Sequence, residues 1–438
     1  MERKITAKNG VEIYTYKNPA LHSFYISLFL RAGSMYESAD ESGMTHFLEH
    51  TLVRNVNKLY GGTLYSTLDS HGMEFNASTF SEMVQFYVFG GSHNFSVGAE
   101  VIASLLEPLT LTADEISAER KRIKAEIRES DERGSLSSFT AREVFSGTTL
   151  AASILGTNKS VDRVSARRLE EYRRRAFVKE NVFLYVTGSF TDADIEALAA
   201  LVGEKTLATA ATPDQIHTNV APVSQNFGKR EGAVHVKPSD YTVVRFTFDM
   251  DMSRVSCPEA DLLYDLLLSG YASPFFIEMS EERGLFYDIS GATERYKNIG
   301  TLHFTYEVKE KKLYDAVALS VEILNSIKKS PLPEEKCMKA GYVDNAYLLF
   351  DDAREFNFTL AYDNHIMDLG YRSLDERIEA YKKITPERLR AVACEIFTPE
   401  NLTLTLKGNK KKIDVKRLAE IIRGLENYSA ENGRQEQI

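Results

Sequence analysis

The chain has 438 residues, of which 43% are hydrophobic and 26% are charged, and its formal net charge is −10. This composition excludes a disordered chain and a collagen-like fibre, because it holds ample apolar surface for a large core. Only three cysteines and an acidic balance argue against a disulfide scaffold and against a general nucleic-acid binder. The length allows two or three domains, and two domains of about 220 residues would be ordinary.

No apolar run approaches the ~20 residues that a transmembrane helix needs. The first residues, MERKITAKNGVEIYTY, include early basic residues but no apolar stretch after them. We therefore expect neither a signal peptide nor a membrane anchor, and we expect a cytoplasmic location. Three cysteines lie far apart in the sequence and are expected to be reduced structural thiols: Cys257, Cys337 and Cys394.

The chain contains one pattern twice. Residues 164–188 align without a gap on residues 384–408, at a constant offset of 220 positions that matches Asn181 with Asn401. Each copy predicts a capped helix, an Asn turn and a strand. Two strand-like segments precede the first copy, GVEIYTY and SFYISLFLRAG, and they are matched before the second copy by GAVHVKP and TVVRFTFDMDM.

The repeat predicts an α+β fold with two homologous α/β sandwich domains, in which helices pack on a mostly antiparallel sheet. Residues 206–232 are rich in Ala, Thr, Pro, Gln and Asn with weak periodicity, which is typical of an interdomain linker. We thus expect a first domain over residues 1–205, a second over residues 233–426 and a disordered polar tail over residues 427–438.

The clearest chemical signal is HFLEH at residues 46–50. On a helix, residues i and i+4 lie one above the other, so His46 and His50 can reach one metal ion, and Glu49 points to the same side. An apolar stripe on a neighbouring face can pack in the core: Met44, Phe47, Leu48 and Leu52. The motif alone is only moderately specific and needs a third ligand.

The helix predicted to start near Ala113, after a capping-box pair, offers that ligand. Its buried stripe contains three isoleucines: Ile116, Ile123 and Ile127. Glu119 and Glu126 fall on the same stripe and are expected to face the interior, whereas three basic residues are expected to point elsewhere: Lys121, Arg122 and Lys124. Interior carboxylates need compensation, either by a metal ion or by Arg or Lys across a helix interface. This helix alone leaves both explanations open, and HFLEH favours the metal.

HFLEH followed 76 residues later by Glu126, inside an ExxxxxxE pair, resembles the inverted-zincin peptidases of the pitrilysin or insulinase family. That family includes insulin-degrading enzyme and the mitochondrial processing peptidase. The resemblance covers essentially the whole chain, because SHGMEFNASTFSEMVQFYV is similar to the family's NAxT segment and MSEERGLFYDIS to its REERGLAY segment. It implies two homologous domains that form half of a clamshell, with a metal motif only in the first.

The resemblance implies a role for each matched residue. Three side chains would bind one Zn²⁺: His46, His50 and Glu126. Glu49 would be the general base, and Glu119 would orient a ligating imidazole. Three residues would contact a substrate peptide: Asn76 and Ala77 at a strand edge, and Tyr287 from the second domain.

One position departs from the family pattern. The family usually has an Arg seven residues before the Tyr of its RGLAY-like segment, and this chain has Ser280 there. A hydroxyl cannot replace a guanidinium group, so we expect a homologous subunit, in a homodimer or heterodimer, to supply the Arg. The resemblance implies a zinc-dependent endopeptidase for peptides or short unfolded chains, as the zinc-bearing subunit of a processing-peptidase-like dimeric chamber. The alternative is a non-catalytic peptide-binding or structural subunit.

Overall fold

The structure is a computed structural model that describes residues 1–133, 135–207, 232–330 and 339–428. The predicted linker and the predicted tail lie almost entirely outside the described residues, as does Cys337. None of the described helices is both long and apolar enough to cross a membrane.

The described residues form two sheets with eleven strands. The strands are β1 (Arg3–Thr6), β2 (Glu12–Lys17), β3 (Ser23–Leu30), β4 (Glu74–Thr79), β5 (Val84–Gly91), β6 (Val182–Gly188), β7 (Ala233–Pro238), β8 (Thr242–Asp251), β9 (Ile289–Arg295), β10 (Ile299–Val308) and β11 (Leu402–Gly408). The four segments that the sequence predicted as strands become β2, β3, β7 and β8. The expected strand pair in each half is wrong, because β6 lies between β2 and β3 and β11 lies between β7 and β8.

Fifteen α-helices occur in the same residues. They are α1 (Met44–Leu59), α2 (Leu64–Ser70), α3 (Phe95–Ser104), α4 (Ala113–Arg133), α5 (Leu136–Val144), α6 (Asn158–Asp162), α7 (Ala166–Ala176), α8 (Asp192–Gly203), α9 (Cys257–Leu268), α10 (Leu313–Lys329), α11 (Lys339–Asp351), α12 (Ala353–His365), α13 (Leu374–Lys382), α14 (Pro386–Ile396) and α15 (Val415–Ile422).

The two sheets share one topology. The first has the order β1-β2-β6-β3-β5-β4, and the second has the order β7-β11-β8-β10-β9. Apart from β1, each strand of the first sheet has a counterpart at the same place in the second. Among the strands of the described residues, only β2 with β6 and β7 with β11 pair in parallel. The predicted α+β class, with helices on mostly antiparallel sheets, is confirmed.

The repeated Asn has one structural task in both copies. The Nδ2 group of Asn181 donates to the carbonyl of Ala176 at 3.1 Å, and Asn401 donates to Ile396 at 3.2 Å. Each amide therefore adds a side-chain hydrogen bond to a carbonyl at the end of the helix before its strand, which also accepts from the backbone N–H two residues further on. The turn between helix and strand is fixed in the same way in both halves.

The chain folds into two compact units that exchange segments. The first unit contains residues 1–133, 152–207 and 346–374 of the described chain, and the second contains residues 135–151, 232–330, 339–345 and 375–428. The limits expected from the sequence took each half as continuous and so did not include this exchange. The predicted domain limits therefore describe the two copies of the repeat, and they stay a prediction.

The exchanged helices cover the sheet faces that the main helical layers leave free. In the first unit, α12 packs on β3 and β6, where Ser27 donates to Asn357 at 2.6 Å and Thr187 donates to the carbonyl of Ala353 at 2.6 Å. In the second unit, α5 packs on β11 and β7, and the hydroxyls of Thr140 and Thr405 are 2.6 Å apart. The central strands of each sheet are therefore buried on both faces. The opposite face of the first sheet packs against the helical layer that carries HFLEH.

Candidate metal centre

The helix with the HFLEH motif, α1, begins at a position that only glycine fits. Gly43 precedes it with φ of +82°, and a Cβ atom there would lie 2.8 Å from Cα of Gly156. The buried carboxylate of Glu37 then accepts hydrogen bonds from the backbone N–H groups of Gly43 and Thr45, at 2.8 and 2.7 Å. Burial raises the pKa of Glu37. This carboxylate caps the helix from outside and fixes where its first turn starts.

The two faces of α1 divide as the sequence predicted. The apolar stripe is buried in the core of the first unit: Met44, Phe47, Leu48 and Leu52. The imidazoles of His46 and His50 lie on the neighbouring face, with ring centroids 4.6 Å apart.

Helix α4 supplies the facing carboxylates. Its three stripe isoleucines are buried, as is Glu119, which confirms this part of the pattern. The expected interior position is wrong for Glu126, whose side chain is 47% exposed because it faces a cavity. Arg122 lies off the buried stripe as expected, with a side chain that is 68% exposed, but it lines the same cavity. Positions 119, 122 and 126 follow a spacing of three and four residues, so they share one face of the helix.

The structure brings His46, His50 and Glu126 together. Oε2 of Glu126 lies 3.7 Å from Nε2 of His46 and 3.5 Å from Nε2 of His50. One ligand atom from each residue lies within 4.8 Å of the other two. A tetrahedral zinc ion with ligands at about 2.0–2.2 Å separates neighbouring ligand atoms by roughly 3.3–3.6 Å. The donor set and its spacing fit Zn²⁺, and their role as ligands stays a prediction.

Glu119 has the Arg partner across the helix interface that one of the two explanations requires, and it also contacts a candidate metal ligand. Its carboxylate accepts from Nδ1 of His50 at 3.2 Å and from Nε of Arg54 across the interface between α1 and α4. Burial favours the neutral acid, but these hydrogen bonds outweigh it and lower the pKa of Glu119 to about 2. The side chain is therefore an ion-pair partner and a support for an imidazole at the same time.

The two imidazoles have opposite electrostatic environments without a metal ion. Burial and the neighbouring His50 lower the pKa of His46 to about 4. Burial also opposes charge on His50, but hydrogen bonds to Glu119 and Glu126 outweigh it and raise its pKa to about 9. The two carboxylates beside His50 therefore favour positive charge at this site, which is the charge that a divalent cation would bring.

A strand fixes the carboxylate of Glu49. Thr79, at the end of β4, donates its hydroxyl to Oε2 of Glu49 at 2.5 Å. Burial raises the pKa of Glu49. No role was predicted for Thr79, although strand alternation places it on the same face as Phe75 and Ala77, which line the cavity.

A cavity of about 470 Å³ lies beside Glu49, His50 and the two carboxylates of α4. Its lining comes from α1, α2, β4 and α4: Glu49, His50, Val53, Arg54, Asn57, Tyr65, Phe75, Asn76, Ala77, Glu119, Arg122 and Glu126. The two residues predicted to contact substrate in the first unit, Asn76 and Ala77, are therefore beside Glu49. They belong to β4, which is the edge strand of its sheet within the described residues.

The second unit carries the other predicted contact. Tyr287 is 97% exposed. It follows a π-helix over Phe276–Glu281 in the chain. Ser280, at the position of the family's Arg, donates to the carbonyl of Phe286 at 3.1 Å and so fixes the turn before the tyrosine. The predicted roles of Asn76, Ala77 and Tyr287 stay predictions.

Two family descriptions match the sequence of this chain. Residues 12–158 match the family described as Insulinase (Peptidase family M16), and residues 163–340 match the one described as Peptidase M16 inactive domain. The chain belongs to peptidase family M16. The resemblance noted from its motifs is thereby confirmed.

The relatives of this chain include a protein named as a protease and a protein named as a subunit of a respiratory complex. An uncharacterized zinc protease of Mycobacterium tuberculosis is 24% identical over 417 residues, which cover 90% of this chain and 91% of that protein. Subunit 1 of the mitochondrial cytochrome b-c1 complex of Caenorhabditis elegans is 28% identical over 185 residues, which cover 42% of this chain and 39% of that subunit. This M16 chain therefore resembles a protein named as a zinc protease over most of its length and a respiratory-complex subunit over part of it.

Solved structures share the fold. A protease from Helicobacter pylori superimposes with a TM-score of 0.79 at 17% identity and covers 93% of this chain and 99% of that one. The periplasmic protease PqqL from Escherichia coli superimposes with a TM-score of 0.76 at 17% identity and covers 100% of this chain but 50% of PqqL. The M16 chain thus has the fold of a whole protease in one case and of half a protease in the other.

Proposed function

We propose that this M16 chain is a zinc-dependent endopeptidase that cleaves peptides or short unfolded chains. The observation that carries the proposal is the convergence of two imidazole nitrogens and one carboxylate oxygen, at 3.5 and 3.7 Å, beside the carboxylate of Glu49. His46, His50 and Glu126 would hold the ion. Zinc, when bound, supplies a Lewis acid that polarises a peptide carbonyl and lowers the pKa of a water molecule toward neutrality.

Glu49 is the general base in this proposal. Its raised pKa brings proton transfer closer to neutral pH, which suits a group that takes a proton from water and gives it to the leaving nitrogen. The hydroxyl of Thr79 bonds Oε2 and so leaves Oε1 for the proton. Because Thr79 belongs to the strand beside the cavity, it orients the base relative to a peptide bound there.

Glu119 fixes the tautomer of His50. When the Nδ1–H group of His50 donates a hydrogen bond to Glu119, Nε2 carries no proton. The lone pair of Nε2, which points toward Glu126, is then available to the ion. Arg54 holds the same carboxylate, so the imidazole is supported by a group that cannot rotate freely.

The edge of β4 provides a place for an extended peptide. A strand added there would exchange backbone hydrogen bonds with Asn76 and Ala77, which gives affinity with little dependence on sequence. Tyr287 of the second unit would contribute a further contact.

The proposal includes a homologous subunit. PqqL is a protease about twice as long as this chain, which supports a chamber made from two such copies. In the dimer, hetero- or homomeric, the partner would supply the Arg that this chain replaces with Ser280. We place the assembly in the cytoplasm.

Metal analysis and peptide turnover test the proposal. The native chain, Glu49→Gln and the control Glu196→Gln, an exposed carboxylate on α8, are compared with a quenched peptide at equal zinc loading. We expect about one zinc per chain in all three, and a rate lower by about 10²–10⁴-fold in Glu49→Gln only.

The second candidate is a non-catalytic peptide-binding or structural subunit. Its support is the partial match to a cytochrome b-c1 subunit. Zinc binding with no cleavage that depends on Glu49, measured alone and with a homologous partner, would favour this candidate over the endopeptidase.

A further inference from the structure

The cavity continues beyond the proposed metal site along α1 and α4. Its far wall includes Val53, Arg54 and Asn57, which follow His50 on α1, and Arg122 on α4. This part is a subsite for a substrate side chain if the cleavage site lies at Glu49, so the inference that follows rests on the proposed function.

The subsite holds more positive charge than its own carboxylate neutralises. Glu119 faces both guanidinium groups, but Arg54 binds it closely, whereas Nη1 of Arg122 is 3.4 and 3.5 Å from its two oxygens. Glu119 also accepts from His50 and is itself fully buried. The side chain of Arg122 is 68% exposed, compared with 32% for Arg54. Arg122 is therefore the cation that a ligand can reach.

The charge of the whole lining does not repel an acid once a metal is present. Three carboxylates and two guanidinium groups line the cavity. A divalent ion at the proposed ligands therefore leaves one net positive charge when both imidazoles are neutral. The surplus lies at the Arg122 end, because Glu49 and Glu126 belong to the metal end.

The distance matches a residue next to the cleaved bond. Arg122 precedes Glu126 by four residues on α4, which corresponds to about 6 Å along the helix. An extended peptide advances about 3.3 Å per residue, so a side chain one or two residues from the cleaved bond reaches the guanidinium. Val53, Tyr65 and Phe75 provide apolar walls for the methylene groups of that side chain.

We propose that Arg122 is a specificity residue that selects substrates with an Asp or Glu side chain within two residues of the cleaved bond. The guanidinium accommodates a carboxylate through two parallel N–H groups, which a neutral amide cannot match. A solvent-exposed Arg with no substrate contact would give no such preference.

Quenched peptides that differ only in Glu, Gln or Lys at each of the two positions on either side of the cleaved bond test the proposal. The zinc-loaded native chain, Arg122→Leu, Arg122→Glu and the control Lys121→Glu are compared. Lys121 is exposed on the same helix and does not line the cavity, so it reproduces the charge change without the subsite. The readout is the ratio of kcat/KM for the Glu and Gln peptides, because altered folding or zinc geometry affects both.

For the native chain and Lys121→Glu, we expect kcat/KM to be about tenfold higher for the Glu peptide than for the Gln peptide at one of the tested positions. This factor lies between the small effect of an exposed ion pair and the larger effect of a buried hydrogen bond to a charged group. The preference should fall in about 1 M salt, vanish in Arg122→Leu and turn toward Lys in Arg122→Glu. Equal ratios in the native chain and Arg122→Leu overturn the proposal, while Glu49-dependent cleavage leaves the proposed function intact.

A binding experiment keeps the two failures apart. If the native chain cleaves no peptide either alone or with a homologous partner, the proposed function fails, and fluorescence anisotropy of the same labelled peptides on zinc-loaded Glu49→Gln then decides the subsite. Tighter binding of the Glu peptide, lost when Arg122→Leu is added, supports the acidic subsite. Equal binding of the Glu and Gln peptides overturns it.

Discussion

Replacing Glu119 by Gln tests whether a buried carboxylate holds the proposed metal site together. The substitution keeps the shape of the side chain but removes the charge that faces His50 and Arg54. A pKa of about 2 instead of the ordinary 4.5 corresponds to about 3 kcal/mol that favours the charged form. Because Arg54 is partly exposed and can regain water, we expect a loss of about 2 kcal/mol in the free energy of unfolding of the metal-free chain.

Glu119→Gln should weaken zinc binding more than the loss of a similar ion pair elsewhere on the same two helices. An imidazole that loses its outer partner typically binds zinc 10–100-fold more weakly. Glu115→Gln is the matched control, since Glu115 pairs with Lys58 at 2.8 Å across the same two helices but touches no imidazole. We expect it to cost about 1 kcal/mol or less of stability and to leave zinc affinity unchanged.

Zinc competition titration and urea unfolding measure both quantities. The reasoning is refuted if Glu119→Gln binds zinc within twofold of the native chain. It is also refuted if Glu115→Gln weakens zinc binding as much, because the effect would then come from the helix interface and not from the imidazole.

Three further predictions concern single side chains. Thr79→Ala should lower kcat about tenfold with unchanged zinc content, because Glu49 loses the hydroxyl that orients it, whereas Thr79→Ser should restore the rate. Glu37→Gln should lower the free energy of unfolding by about 1–2 kcal/mol in urea titrations, since each carboxylate oxygen accepts one backbone N–H at the start of α1 and the amide nitrogen of Gln cannot accept. Burial and the neighbouring Arg245 lower the pKa of His303 to about 3, so the unfolded chain binds a proton below pH 6.5 that the folded chain does not. Stability should thus fall by about 2 kcal/mol between pH 7 and pH 5, and His303→Gln should show a shallower fall over this range in urea titrations.

Local patterns were sufficient for the chemistry of each helix taken separately. The spacing of HFLEH placed two imidazoles on one side of α1, and the apolar residues around them identified a neighbouring side as core. The alignment of Asn181 with Asn401 revealed the duplication, because both copies need the same amide at the same turn. Helix periodicity also placed Glu119 on the buried stripe of α4, and its side chain is buried there.

The environment of each predicted residue required the folded chain. Glu126 and Arg122 were assigned directions from helix periodicity alone, but a cavity lies beside α4 and receives both side chains. Thr79 meets Glu49 only because β4 runs past α1. Likewise, nothing in the pattern of α12 states that it covers β3 and β6 within the first unit.

The sequence by itself determined the family, the repeated α+β architecture and the candidate ligands, because residue spacing within one helix or strand fixes which side chains share a face. The tertiary structure decided the 3.5 and 3.7 Å approach of Glu126 to the imidazoles, the exchange of α5 and α12, and the exposed guanidinium of Arg122. These features depend on packing between segments far apart in the chain. Periodicity gives the direction of a side chain but not what lies opposite it.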